Sequence, residues 1–319
     1  MKKVLALVLM AMLVLSAAAF AEEDGWYIGY SNQQRSEDFF ITVGDGLAAA
    51  AAENGIQFEE SITDRDAVKM TQVVDTYILK GVDMVIDFNV LAETGAEMAA
   101  KLSAEGIPMI SIDCLYDGAY FFGVNNYDAG VVLGTAAIDV VNEKFGGELE
   151  YVVVLYDSSA GADVQARVDG AAEVLAEEFS VPAENVVYLD CMADDTKTTS
   201  LTRDWLNSHP DASKIVFIGQ NDDRGYAINN VVNSDQRVED SIIISHNADP
   251  SAVENLQAHP DGDTAWLLTA SYNSHLYGEQ VIDMAMKILN GEEVDDQVYA
   301  KVTVVGLDNL DEYLASIEG

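Results

Sequence analysis

Basic residues are scarce in this chain of 319 residues: 16 Lys and Arg stand against 55 Asp and Glu, a formal net charge of −39. The deficit excludes nucleic acid as a partner, because affinity for phosphate backbones is built from Lys and Arg contacts. It also argues against an anionic lipid surface. The acids are spread along the chain rather than gathered in a tail, which suits a protein kept soluble in a salty medium that screens self-repulsion. Cysteine is nearly missing: Cys114 and Cys191 are the two present, with no CxxC pair. The four histidines, His209, His246, His259 and His275, lack metal-ligand spacing, so neither a metal nor another cofactor is expected. There are five prolines and no Pro-rich, Ser/Gly-rich or low-complexity linker. The catalytic signatures GxSxG and HExxH, a phosphate-cradling glycine loop and a dinucleotide fingerprint are all missing. An enzyme, such as a carbohydrate hydrolase with paired carboxylates, therefore finds acids in abundance but no motif that places them.

What is present begins with a sorting signal. Lys2 and Lys3 precede an unbroken apolar run from Val4 to Leu15, and Ala19-Phe20-Ala21 supplies a small-x-small cleavage pattern. This order reads as a secretory signal peptide over 1–21, with Glu22 as the first mature residue. The run is short of the roughly 20 apolar residues that a spanning helix needs. The protein is expected to be secreted, into a periplasm or the space at the outer face of the cell envelope.

The whole chain is 49% hydrophobic, and the part after residue 21 is long enough for about two domains at roughly 150 residues each. Strand-like runs recur at Trp26–Tyr30, Met84–Phe88, Met109–Ile112, Tyr151–Tyr156, Val186–Leu189, Lys214–Ile218, Ser241–Ser245 and Trp266–Ser271. Helical spacing covers Phe39–Asn54, Ala67–Lys80, Ala92–Glu105, Asp128–Phe145 and His275–Asn290, each followed by a glycine. The alternation predicts βαβ units and parallel sheets. The pattern restarts at Tyr151, after a segment without clear helical spacing at Asp113–Asn126, so two α/β lobes joined by a hinge are expected.

Ligands of open parallel sheets sit outside the carboxyl ends of the strands. Those ends carry amides and carboxylates here: Asn32-Gln33, Asp87-Phe88-Asn89, Asp113, Asp157-Ser158, Asp190, Gln220-Asn221-Asp222 and His246-Asn247. Such groups suit hydroxyl recognition, and they are equally the preferred helix N-caps. Capping is the reading favoured for Asp87, Asp157 and Asp222. Arg167 is more telling because cations are scarce; its competing role is a salt bridge to Asp163, one turn earlier.

The order and spacing of several segments resemble the type I periplasmic sugar-binding proteins, the group of the ribose and galactose/glucose binders. They are Ser31 with Asp38-Phe39-Phe40, Gly106-Ile107-Pro108-Met109-Ile110-Ser111-Ile112-Asp113, Gly123-Val124-Asn125-Asn126, Asp163 to Gly170, Gln220-Asn221-Asp222-Asp223, and Gly278. The resemblance spans Tyr27 to about Val305. It implies two Rossmann-like lobes joined by three crossovers: 22–125 with 272–295, and 126–271 with 296–319. It implies that Phe39 and Phe40 pack on a sugar face, that Asp113 and Asp163 accept from hydroxyls, and that Arg167 donates. Asn221 would serve as an amide ligand, and Asn247 stands where the family usually has Asp. The same resemblance implies hinge closure on one small sugar-like ligand and delivery by a monomer to a membrane ABC permease, with a chemoreceptor or sensor as the alternative recipient. Departures are visible: Cys114 stands where the family often has Arg, no aromatic wall occurs near 193–196, and no calcium loop is seen. Cys114 and Cys191 would lie at opposite edges of the cleft, where a disulfide would staple the lobes shut, so thiols are expected.

Overall fold

The computed structural model describes residues 25–192 and 194–317; the expected signal peptide lies outside them. Within these residues, β1 (Tyr27–Asn32), β2 (Gln57–Ile62), β3 (Met84–Phe88), β4 (Met109–Ile112), β5 (Tyr120–Gly123) and β11 (Gln297–Tyr299) form one sheet, ordered β11-β5-β4-β3-β1-β2. The second sheet, ordered β12-β10-β9-β8-β6-β7, contains β6 (Tyr151–Tyr156), β7 (Val186–Asp190), β8 (Ile215–Gly219), β9 (Ser241–Asn247), β10 (Trp266–Ser271) and β12 (Thr303–Val305). Pairing is parallel between all neighbours except the antiparallel β10–β12 pair. Strands β3, β8 and β9 are buried along their whole length. Their near-continuous apolar runs are what a parallel sheet covered on both faces requires.

Ten helices cover these sheets among the described residues: α1 (Asp38–Glu53), α2 (Ala67–Lys80), α3 (Ala92–Ala104), α4 (Asn126–Phe145), α5 (Gly161–Glu178), α6 (Asp195–Ser208), α7 (Asp222–Ser234), α8 (Pro250–Ala258), α9 (Tyr277–Leu289) and α10 (Leu310–Ile317). None is long and apolar enough to cross a membrane. Local rules set several ends. Asp66 caps α2 by accepting from the Val68 and Lys69 amides, and Gly81 closes it in the left-handed conformation.

The chain passes between the two lobes three times, before α4, between β10 and α9, and between β11 and β12. The last passage differs from the reading that starts the second lobe's tail at 296: Gln297–Tyr299 pairs with Phe121–Gly123 in the first sheet. Strand β2 was also not foreseen. It is an edge strand carrying Glu59 and Glu60, so it lacks the apolar run that marks a buried strand. The cysteines behave as expected: Cys114 and Cys191 are buried and form no disulfide.

Glycine lets helices approach closely in both lobes. In the first, α1 and α9 pack with Gly46 against Gly278, and a Cβ added at Gly278 would overlap the Gly46 backbone. In the second, α4 and α5 meet at Gly130, Gly134 and Gly170; a Cβ at Gly130 would overlap the Arg167 carbonyl. The first seam is not symmetric, because a Cβ added at Gly46 would stand 3.4 Å from Gly278 Cα. Gly278→Ala should therefore destabilise the protein by about 1–3 kcal/mol, the usual cost of overpacking, whereas Gly46→Ala should cost less. Chemical denaturation of the two variants checks this; equal costs would contradict the asymmetry.

Candidate functional site

The carboxyl ends of both sheets face one cleft. The first lobe contributes Gln33 after β1, Arg65 after β2, Phe88 and Val90 at the end of β3, and Asp113 after β4. Glu37, Phe39 and Phe40 come from the start of α1. The second lobe contributes Asp157 and Ala160 after β6, Val164 and Arg167 from the start of α5, Gln220 and Asn221 after β8, Arg224 from the start of α7, and Asn247 at the end of β9. The space among these residues is about 580 Å³ when the open solvent at the mouth is included.

One wall is aromatic. Phe40 lies 4.5 Å from Phe88, centroid to centroid, and Phe39 meets Phe40, Phe88, Tyr272 and Tyr277 edge-on at 5.8–6.1 Å. This interlocking fixes the ring orientations, since edge-to-face pairs are favoured beyond the area they bury. It leaves an apolar surface for the faces of a ligand's C–H groups.

Opposite polarity gathers at the junction of the lobes. Asp113 adopts a left-handed backbone, φ 53°, directly after β4. Its Oδ1 accepts from the Val124 amide at 3.1 Å and from the Tyr277 hydroxyl at 3.2 Å. Its Oδ2 is buried without a protein partner. Burial pushes its pKa up to about 6, while the Arg167 charge and the two hydrogen bonds pull the other way. Arg167 is buried near the start of α5, donates through Nε to Asn126 Oδ1 at 2.8 Å, and lies 5.0 Å above the Tyr272 ring. The Tyr272 hydroxyl pairs with His246 Nδ1 at 2.9 Å. His246 is held neutral: burial lowers its pKa well below the ordinary value, and the Arg167 charge adds to this.

The remaining expected residues divide. Asn221 caps α7, accepting from the Arg224 amide at 3.1 Å, which leaves its N–H groups for the cleft. Asn247 donates to Asp249 at 3.1 Å, which leaves its carbonyl oxygen. Asp163 does not line the cleft. It accepts from Asn126 Nδ2 at 3.1 Å, behind Arg167. The competing role for Arg167, a salt bridge to Asp163, does not form; the two side chains share Asn126 as partner. Asp157 caps the turn before α5, as expected, through the Ser159 amide. Asp222 and Asp87 are not caps. Asp222 is buried and accepts from Ser245, Thr269 and the Asp249 amide, while Asp87 accepts from Asn89 and Tyr116.

Several cleft residues were missed. Arg65 reaches Asp157 across the cleft at 3.5 Å and Glu37 at 3.7 Å, from a loop no periodicity marks. Arg224 is buried, pairs with Asp195 and keeps its Nε unpartnered. Gln33 and Gln220 were legible as strand-end amides but not as cleft residues. A signal existed for the arginines: the chain has six, and Arg65, Arg167 and Arg224 are half of them. Among the described residues, no group of three or more His, Cys, Asp or Glu side chains is placed to hold a metal ion.

Two layered parallel sheets, three crossovers and a polar cleft at the strand ends define a hinged, two-lobed binding protein. The family described as periplasmic binding protein domain matches residues 28–293, and the chain belongs to it. The ribose import binding protein of Bacillus subtilis is 23% identical over 94% of this chain and 97% of that protein. An ABC transporter solute binding protein of Bacillus halodurans, solved with bound myo-inositol, superposes with a TM-score of 0.80 at 19% identity, covering 92% of this chain and 99% of that one. One from Mycobacterium smegmatis, with bound glycerol, gives 0.78 at 22%, covering 90% and 96%.

Burial also sets the response to pH. Asp87, Asp113 and Asp223 are raised to about 6 and Asp222 to about 7, from an ordinary value near 3.8, in each case chiefly by desolvation. A raised folded pKa means that the native state binds more protons than the unfolded chain between about pH 4 and 7, so stability falls as pH rises through that window. His246 and His275, lowered by burial, act in the opposite sense below the ordinary histidine value, but they are outnumbered. The melting temperature should be higher at pH 6 than at pH 8, at roughly 2–4 °C for each kcal/mol. Calorimetry across this range checks the sign.

Proposed function

We propose that this protein is the exported solute-binding component of an ABC transporter, taking one sugar or polyol between its lobes and breaking no bond. The observation that supports it most is the pairing of surfaces in the cleft. A ring wall of Phe39, Phe40 and Phe88 faces a buried polar junction of Asp113 and Arg167. A polyhydroxy solute has both characters, C–H faces for the rings and hydroxyls for the carboxylate and guanidinium. The names of the relatives point the same way, being a ribose importer's binding protein and binders of myo-inositol and glycerol.

The mechanism is closure. Asp113 and the rings belong to the first lobe, Arg167, Asn221 and Asn247 to the second. A solute touching both gains contacts available only when the lobes approach, and that difference in affinity shifts the open–closed equilibrium. The membrane permease then reads the closed shape. Asp163 serves by holding Asn126, which in turn orients Arg167. The N-terminal 21 residues serve as the export signal, and the protein acts outside the cytoplasm as a monomer.

Calorimetric titration of the mature protein with sugars and polyols should give one-to-one binding. Solution scattering should show compaction on ligand addition. Asp113→Asn and Arg167→Ala should each weaken binding about ten- to a hundred-fold, since hydrogen bonds to charged groups contribute about 1.5–3 kcal/mol. A full panel of neutral and charged sugar derivatives without any binding would count against the reading.

A further inference from the structure

The cleft's hydrogen-bonding capacity is unbalanced, and the imbalance narrows the solute. Among its lining residues, five buried side-chain atoms have no protein partner: Gln33 Nε2, Arg65 Nε, Gln220 Nε2, Arg224 Nε and Asp113 Oδ2. Four are donors and one is an acceptor. The amide orientations are not arbitrary. Gln33 Oε1 accepts from the Val90 amide at 3.2 Å and Gln220 Oε1 from the Asp157 amide at 2.8 Å, so each glutamine turns its NH₂ away from that bond. The two asparagines add one group of each kind, the Asn221 N–H and the Asn247 carbonyl oxygen.

A buried donor left unmade costs about 1–3 kcal/mol, so the fitting solute brings acceptors. A neutral polyol brings a donor with every hydroxyl, and few acceptors in the cleft stand open to receive them. A carboxylate brings acceptors alone. Two of the four donors come from one short stretch of the second lobe. Gln220 and Arg224 flank the N-terminus of α7 in the second lobe, where the helix dipole favours negative charge. Arg224 is 4% exposed, although its pairing carboxylate, Asp195, is largely exposed. Besides Asp113, the acids lining the cleft are Asp157, engaged by Ser159 and Arg65, and Glu37, which Arg65 also approaches; Asp223 stands beside Arg224 in the first turn of α7.

We infer that the solute is a sugar acid, an aldonate or uronate, whose hydroxyls meet Asp113 and the aromatic wall while its carboxylate meets Gln220 and Arg224 at the start of α7. This rests on the reading of the cleft as a sugar or polyol site and assigns Arg224 as the residue that selects the acid.

The test uses the mature protein, freed of co-purified solute by dialysis under mild denaturant and refolding. Calorimetric titration at pH 7.5 compares the aldose, alditol, aldonate, uronate, aldonate methyl ester and sugar phosphate of common pentose and hexose skeletons. One acid should bind at least ten-fold tighter than its methyl ester and its neutral parent. Arg224→Gln should bring that ratio near one. The ester comparison needs only the wild-type chain, so a variant that fails to fold does not remove the test. Neutral sugars or polyols binding as tightly as the acids would overturn the inference and leave the proposed function standing. Preference for the sugar phosphate would overturn the carboxylate assignment. An unchanged acid-to-neutral ratio in a folded Arg224→Gln would overturn the role of Arg224. No binding anywhere in the panel would overturn both the inference and the sugar reading.

Discussion

A guanidinium buried at the junction of two lobes is the constraint around which this molecule is arranged. Arg167 is 7% exposed, and an interior cation is tolerable only with compensation. The compensation comes from every part of the chain that meets there. Asn126, at the first crossover, takes its Nε–H. Tyr272, at the second crossover, lies beneath it. Asp113 of the first lobe supplies the opposing charge. The first and second crossovers are therefore fixed to the same side chain that faces the cleft, and the hinge and the binding surface share atoms. In the closure proposed above, this coupling gives a small solute leverage over the position of a whole lobe.

A shell of buried polar groups surrounds this centre. The neutral His246 supports Tyr272 from below. Asp222 ties Ser245, Thr269 and the Asp249 backbone into the floor of the second lobe. Asp87 does the equivalent in the first lobe with Asn89 and Tyr116. Each lobe thus carries a buried aspartate near its cleft edge that serves architecture rather than ligand, and the acids that remain open to the solute are few despite the acidity of the chain.

Much of this was legible in the residues. Met84–Phe88, Met109–Ile112, Tyr151–Tyr156 and Trp266–Ser271 announce themselves as strands because burial on both faces demands unbroken apolar runs. Three of the four edge strands did not: β2 carries acids, while β11 and β12 are three residues each; the edge strand β7 was legible, and the interior strand β5, four residues long, was not. For the site, Phe39, Phe40, Asp113, Arg167, Asn221 and Asn247 all reach the cleft, because strand ends converge there in any fold of this topology. Asp163 did not, since helical spacing places it beside Arg167 without saying which of the two faces inward. The distinction between Asn221 as cap and Asp222 as buried acceptor turns on a single residue of helix register, which sequence does not resolve. Arg65 reaches the cleft across space, from a loop whose local pattern carries no trace of its destination.

Neither lobe is one continuous stretch of chain, and this fixes an order of assembly. Helix α1 is near the beginning, yet the helix that packs against it through the glycine seam, α9, is near the end. The outer strand of the first sheet, β11, comes later still. As the chain is synthesised, the first lobe must wait with an uncovered helix face and an open sheet edge until these distant residues arrive. Contacts of such long sequence separation are slow to form, and the first lobe is complete only when nearly the whole chain has been made.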